Sequence, residues 1–275
     1  MPQNFDLRRD RHAIGQFDAS LTFAGNVSAS QFTHVLEGLN DAAGALQLPA
    51  PMNVQVFNIA IGNPSAPPLP DGKGFQRYSP NGEIEESLFC ETNEIRYTLR
   101  DYVNWDTTRT RLSDAFSILL EKYKKFIPAI SSIRIQYLNE FRAREGSTSS
   151  CGEIFRSDSK WIAPHLIQSD ESWHCHTGQF ISTDEDFRHL VNVNCDVAPA
   201  PWPPTDETRN FAKVLIMAAN QYDIPGIGPL ILKDFDPKSL LLQNLDQAHS
   251  LEKRILNELI ADEYIALMGE GANEY

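Results

Sequence analysis

The chain opens with apolar and polar residues in alternation. Within Phe17–Phe23 every second residue is apolar, as a strand with one buried face requires. Apolar positions at helical spacing follow within Phe32–Leu39, and Ser28 or Ser30 is suited to cap the start of that helix. The pattern therefore predicts a strand followed by a helix.

The next hundred residues repeat this alternation of elements. Short apolar runs separated by tight polar turns predict an antiparallel meander over Phe75–Leu99. Asn104 or Asp106 then caps a helix whose apolar stripe extends over Leu112–Ile127. Strand alternation resumes over Ile133–Tyr137.

The second half of the chain starts after a Gly-Ser-Thr connector at 146–150, a composition that cannot pack a core. The segment Pro199–Pro204 is predicted to be a stiff spacer between strands. A long closing helix carries one apolar stripe over Leu241–Leu259 and is expected to end at Gly269. Three strands precede it, Trp173–Ile181, His189–Val197 and Phe211–Gln221, and the last has a helix as its alternative.

Together these elements predict an α+β fold. Helices are expected to pack on one face of antiparallel sheets, in two similar-sized subdomains. The N-terminal α+β subdomain spans 1–145, and the C-terminal one spans 151–275 and ends in the long helix.

The composition and net charge limit the kinds of molecule that the protein is expected to bind. The 275 residues are 41% hydrophobic and carry a net charge of −13, which fits a globular protein that repels a phosphate backbone. Nucleic acid is therefore an improbable partner and a basic protein a better one, although acidity can also serve solubility alone. No apolar run is long enough to span a membrane, and no apolar stretch follows the basic N-terminus, so we expect a cytoplasmic protein.

Known catalytic and cofactor motifs are missing from the sequence. It contains no phosphate-binding loop, dinucleotide fingerprint, nucleophile elbow or zinc-protease helix. The four cysteines form no C-x-x-C pair, which is typical of small buried side chains. We therefore predict no cofactor and favour a non-catalytic protein.

The most metal-like pattern is His174-Cys175-His176, where strand alternation places both imidazoles on one face. A third ligand could come from Asp170, His165 or His189. Two histidines on an edge strand are more often solvated or hydrogen-bonded, so no metal site is predicted.

Two acidic clusters are also candidates for a metal site. Glu83, Glu85 and Glu86 in the meander, and Asp184, Glu185 and Asp186 in a turn, lack metal-loop spacing. Solvated surface is the simpler interpretation, and an acidic docking face for a basic partner is the alternative.

His249 lies one helical turn after Asp246 in the closing helix. A carboxylate at that spacing can raise the pKa of the imidazole or orient the ring. This pair is the candidate for ligand binding or acid/base chemistry.

Two stretches resemble a sporadically distributed, uncharacterised family of bacterial proteins. The first comprises Tyr102-Val103-Asn104-Trp105, the helix after it and Ile133–Asn139, with Gln136 where the family usually carries arginine. The second is Leu245-Asp246-Gln247-Ala248-His249. The resemblance implies a two-part α+β architecture and an association with mobile or defence-related bacterial genes.

The sequence thus supports two hypotheses about function. The first is a binding or regulatory protein, such as one that neutralises a toxin. Its expected partner contacts are Tyr102, Trp105, Tyr137 and Asn139, because exposed aromatic residues near the end of a sheet supply a large contact area. An alternative role for these four is to pack the helix on the sheet.

The second hypothesis is a ligand-binding or metal-assisted enzyme with a pocket near the closing helix, formed by Asp246 and His249 with His174 and His176. The oligomeric state is left open.

Overall fold

The computed structural model describes residues 4–8, 12–54, 72–144, 150–182, 186–202, 205–232 and 236–268. Eleven strands are present in these ranges, and all of their pairings are antiparallel. They are β1 (Phe5–Leu7), β2 (Ile14–Phe23), β3 (Ala50–Val54), β4 (Gly72–Tyr78), β5 (Ile84–Cys90), β6 (Glu94–Leu99), β7 (Ala129–Ala143), β8 (Trp173–Ser182), β9 (Arg188–Trp202), β10 (Thr205–Gln221) and β11 (Leu230–Ile231).

Five α-helices and one short 3-10 helix accompany the sheet in the described ranges. Ser28 caps the first helix through a reciprocal capping box with Gln31, and Asn104 caps the second. None of these helices combines the length and the apolar character needed to cross a membrane. The helices are α1 (Ala29–Leu46), α2 (Trp105–Tyr123), α3 (Pro164–Ile167), α4 (Pro237–Leu259) and α5 (Asp262–Leu267), and the 3-10 helix is Cys151–Ile154.

The strands form one sheet in the order β3-β4-β5-β6-β2-β7-β10-β9-β8, and β1 and β11 both pair with β7. Strand alternation separates its two faces. Ile133, Ile135 and Tyr137 of β7 are buried, whereas Arg134 and Gln136 between them lie half-exposed on the opposite face. We call these the covered face and the open face.

The three long helices lie on the covered face. Helix α2 packs between α1 and α4, α4 packs on β7 and β10, and α1 reaches β4 and β5. This confirms the predicted α+β class, with helices on one face of an antiparallel sheet. The meander and the predicted strands of the second half are confirmed as well, including β10, for which a helix was the alternative.

The sheet continues across the predicted boundary between subdomains. Strand β7 pairs with β10 from Ser132 to Arg142, and one hydrophobic core includes residues of both halves. Residues 145–149 of the connector lie outside the described ranges. The division into 1–145 and 151–275 stays a prediction.

Two boundaries predicted in the second half are wrong. The segment Pro199–Pro204, predicted to be a stiff spacer, is strand as far as Trp202, where β9 ends. The last two residues of this segment, 203–204, lie outside the described ranges. The closing helix ends at Leu259 instead of Gly269, since Ile260 adopts an extended backbone conformation and bridges Phe155. A short second helix, α5, then follows.

Candidate functional site

The side chains predicted from the closing helix and the Tyr-Trp motif meet between α2, α4 and β7. The Trp105 ring, on the first residue of α2, stacks on the imidazole of His249 with ring centroids 4.2 Å apart. At the edge of the imidazole, the Tyr137 hydroxyl lies 3.0 Å from His249 Nδ1. We call Trp105, Tyr137, Asp246 and His249 the histidine cluster.

Asp246 joins the two helices of this cluster. Its carboxylate accepts a hydrogen bond from Trp105 Nε1 at 3.1 Å and another from Arg109 Nη2 at 2.6 Å. Both ionic partners are more than 30% exposed, so this ion pair contributes at most about 1 kcal/mol to stability. Its main effect is to hold α2 against α4 in one register.

The environment of His249 opposes the predicted effect of Asp246. Burial, with a smaller contribution from the positive charge of Lys253, lowers the pKa of His249 from 6.5 to about 3. The expectation that the carboxylate raises this pKa is therefore wrong. The imidazole is therefore neutral at neutral pH, and its Nδ1 atom shares a hydrogen bond with the Tyr137 hydroxyl in which either group can be the donor.

Three of the four predicted partner contacts are buried. Tyr102 is 5% exposed, and Tyr137 and Asn139 are each 1% exposed. The expectation of exposed aromatics is wrong here, and the alternative, that they pack the helix on the sheet, describes what is seen. The Asn139 amide has no hydrogen-bond partner in the described part of the chain.

The two histidines of β8 lie on the open face, away from His249. His174 Nδ1 is 2.6 Å from Asp196 Oδ1, and His176 Nδ1 contacts Asn194 Oδ1. The predicted pocket that combines them with His249 and Asp246 is therefore wrong, because the sheet separates the two pairs. No set of three or more potential metal ligands occurs among the described residues.

The three glutamates of the meander differ in burial, since Glu83 is exposed, Glu85 is half-buried and Glu86 is in the interior. Glu86 is fully buried and accepts hydrogen bonds from Tyr97 Oη and Arg111 Nη2, each at 2.7 Å. It also forms an ion pair with Arg77, with Nη2 2.7 Å from the carboxylate. Glu85 is half-buried against Arg77. Both interpretations of the cluster, a solvated surface and an acidic docking face, are therefore wrong for Glu86. Of the second acidic cluster, Asp184 and Glu185 lie outside the described ranges and Asp186 is exposed.

A groove at the C-terminal end of α4 was not predicted. It has a volume of about 550 Å³, a floor that includes the buried side chains of Phe155 and Ile167, and an acidic rim. Backbone hydrogen bonds from Arg156 N to Leu259 O and from Ala261 N to Ile154 O fix its walls. We call it the acidic groove, after its rim carboxylates Glu153, Asp158, Asp170 and Asp262.

One guanidinium group offsets part of this negative charge. Arg156 pairs with Asp262 at 2.7 Å and with Asp158 at 3.2 Å. The hydrogen bond from Arg156 lowers the pKa of Asp158 below its ordinary value, so that carboxylate is ionised at neutral pH. Asp170 is exposed, and no cation of the described chain pairs with it. The groove therefore keeps a surplus of negative charge.

Close backbone packing shapes one wall of the groove. A Cβ atom added to Gly152 would lie 2.0 Å from the carbonyl oxygen of Ile167. We expect Gly152→Ala to lower the free energy of unfolding by about 1–3 kcal/mol, because the backbone has to shift. Gly44→Ala in α1, where no atom lies within 4 Å, should raise it by about 0.5–1 kcal/mol. Urea unfolding of both variants measures these effects, and a neutral Gly152→Ala would contradict the packing.

Comparison of the chain with protein-family models and with curated proteins gives no match in either case. What the protein does must therefore be inferred from the contacts, burial and charges of its own residues. The acidic groove and the histidine cluster are the two candidate functional sites.

Proposed function

We propose that the chain is a non-catalytic binding or regulatory protein that engages a basic protein partner through the acidic groove. The observation that carries this proposal is the combination of an apolar floor with four rim carboxylates and a single arginine. Lysine and arginine side chains match such a surface, since their aliphatic stems pack on apolar groups while their charged ends reach carboxylates.

The charge of the whole chain supports the same kind of partner. A net charge of −13 attracts a basic protein at long range and accelerates its encounter. Further exposed carboxylates, such as Glu37 on α1 and Asp114 on α2, lie outside the groove and add to this field. The groove supplies the specific contact, and the remaining surface supplies the attraction.

We place this activity in the bacterial cytoplasm, in a toxin-neutralising or defence system. Four free cysteines, three of them buried, suit a reducing compartment. The resemblance of the Tyr-Trp motif and of the closing helix to the bacterial family motivates the link with defence. An acidic protein that covers the basic surface of a toxin is a direct physical route to neutralisation.

A ligand-binding or metal-assisted enzyme with a site near α4 is the second candidate. It is favoured by the hydrogen bond between Tyr137 and His249 and by the unsatisfied, buried amide of Asn139. Burial of Tyr137 and Asn139 weighs against it, because a substrate needs access to reacting atoms. Turnover of a metabolite that disappears in His249→Gln would favour this candidate over the first.

Charge reversal at the groove tests the binding proposal. A fluorescein-labelled octalysine peptide serves as a basic probe, and fluorescence anisotropy measures its affinity. We expect the double variant Asp170→Lys, Asp262→Lys to bind at least about tenfold more weakly, since two attractive contacts become repulsive.

The matched control changes the net charge by the same amount elsewhere. Glu37→Lys, Asp114→Lys alters two exposed carboxylates of α1 and α2 and should lower the affinity only slightly. If both double variants lose the same affinity, the peptide senses only the overall field and the groove is not the contact surface.

A further inference from the structure

The histidines of β8 have the second-sphere contacts that are typical of metal ligands. His174 faces Asp196 and His176 faces Asn194 across the β8-β9 ladder, and each Nδ1 atom contacts the oxygen of its opposite side chain. Metal-ligating histidines usually donate one ring N–H to such an oxygen, which fixes the tautomer and leaves Nε2 with a free lone pair. Both imidazoles are exposed, and neither Nε2 has a partner in the described residues.

Two imidazoles alone leave a metal ion incompletely coordinated. Zinc takes four ligands in a tetrahedron, with Zn–N distances of about 2.0–2.1 Å. The described chain contains no group of three residues arranged to hold a metal ion. His189, which the sequence suggested, lies on the other face of β9 by strand alternation. A second copy of the chain can supply the two missing ligands.

The position of β8 identifies their source. This strand ends the sheet order, and no strand of the described part of the chain pairs with its outer edge. Its sequence, Trp173–Ser182, contains no proline and no Lys, Arg, Asp or Glu, the residues that usually protect an edge from pairing. Such an edge can accept the same strand of a second copy.

We propose that His174 and His176 form half of a divalent transition-metal site, of the zinc class, that a second copy of this chain completes. Antiparallel pairing of two β8 strands about Cys175 sets His174 opposite His176 of the second copy. Four imidazoles then share one face in a block about 5 Å across the pair and about 7 Å along each strand. The bound cation also offsets the repulsion between two chains of net charge −13.

Zinc binding and sedimentation test this site together. Equilibrium dialysis against zinc chloride should give one zinc ion per two chains, and sedimentation velocity should show a dimer that EDTA returns to monomer. His174→Ala and His176→Ala should each abolish both effects. Asp196→Ala, which keeps both histidines, should weaken zinc binding by about 10–100-fold. His34→Ala, an exposed histidine on α1, is the matched control and should behave like the wild type.

Several results would overturn the site. These are no zinc bound, one zinc per chain without dimerisation, a dimer that persists in EDTA, and zinc binding that survives in His174→Ala, His176→Ala. Circular dichroism shows whether each variant is folded. These outcomes do not depend on the acidic groove, because none of the variants changes a residue that lines it.

Discussion

Replacing Glu86 by alanine is expected to lower the free energy of unfolding by about 3–5 kcal/mol. The carboxylate is fully buried, accepts hydrogen bonds from Arg111 and Tyr97, and forms an ion pair with Arg77. Removing it leaves two guanidinium groups and a hydroxyl that lose their shared acceptor. Because Arg111 belongs to α2 and Glu86 to β5, the variant also loosens this helix on the meander.

The neighbouring Glu85→Ala variant is the control for this prediction. Glu85 is more exposed and pairs with Arg77, so its loss should cost no more than about 1 kcal/mol. Urea unfolding at neutral pH measures both variants. Equal, small effects would show that Glu86 is not the centre of a buried network.

A pH dependence from His249 is the second large effect. In the unfolded chain this histidine titrates near its ordinary pKa of 6.5, whereas in the folded protein the pKa is about 3. Between these values the unfolded state binds more protons, so stability falls as the pH decreases through this window. From pH 7 to pH 5 the histidine should remove about 2 kcal/mol from the free energy of unfolding.

His249→Gln removes the titrating group and tests this dependence. The loss of stability between pH 7 and pH 5, measured by urea unfolding, should be smaller by about 2 kcal/mol in this variant than in the wild type. His34→Gln on the exposed surface of α1 is the control and should keep most of the wild-type difference. An unchanged pH dependence in His249→Gln would contradict the burial of the imidazole.

The alternation of apolar and polar residues along the strands predicted most of the fold. It also indicates which of the candidate site residues are buried. Tyr137 and Asn139 share the parity of Ile133 and Ile135, so they belong to the covered face with these core residues. Glu86 likewise shares the parity of Leu88, a core residue of β5. Their burial therefore follows from the pattern, once a charged or polar residue is allowed to be satisfied in the interior.

All four residues of the histidine cluster were singled out from the sequence, but they were assigned to two separate sites. Sequence spacing paired His249 with Asp246, whereas in the structure the Asp246 carboxylate accepts hydrogen bonds from Trp105 and Arg109. The partners come from α2, more than a hundred residues earlier in the chain. Only the packing of α2 against α4 brings them together, and no local pattern encodes that packing.

The acidic groove had no sequence signal at all. Its carboxylates come from the 3-10 segment, from the chain around α3 and from α5, and none of these stretches is a motif. The groove exists because Ile260 leaves the helical conformation and bridges Phe155, which brings α5 beside the 3-10 helix. A single helix continuing to Gly269 would have removed it.

Hydrogen exchange of the complex with the basic peptide tests the central claim most directly. If basic partners bind in the acidic groove, amide protection should increase in segments 150–170 and 259–265 and stay unchanged on α1 and α2. Protection centred on the helices, or spread evenly over the chain, would contradict binding in the groove.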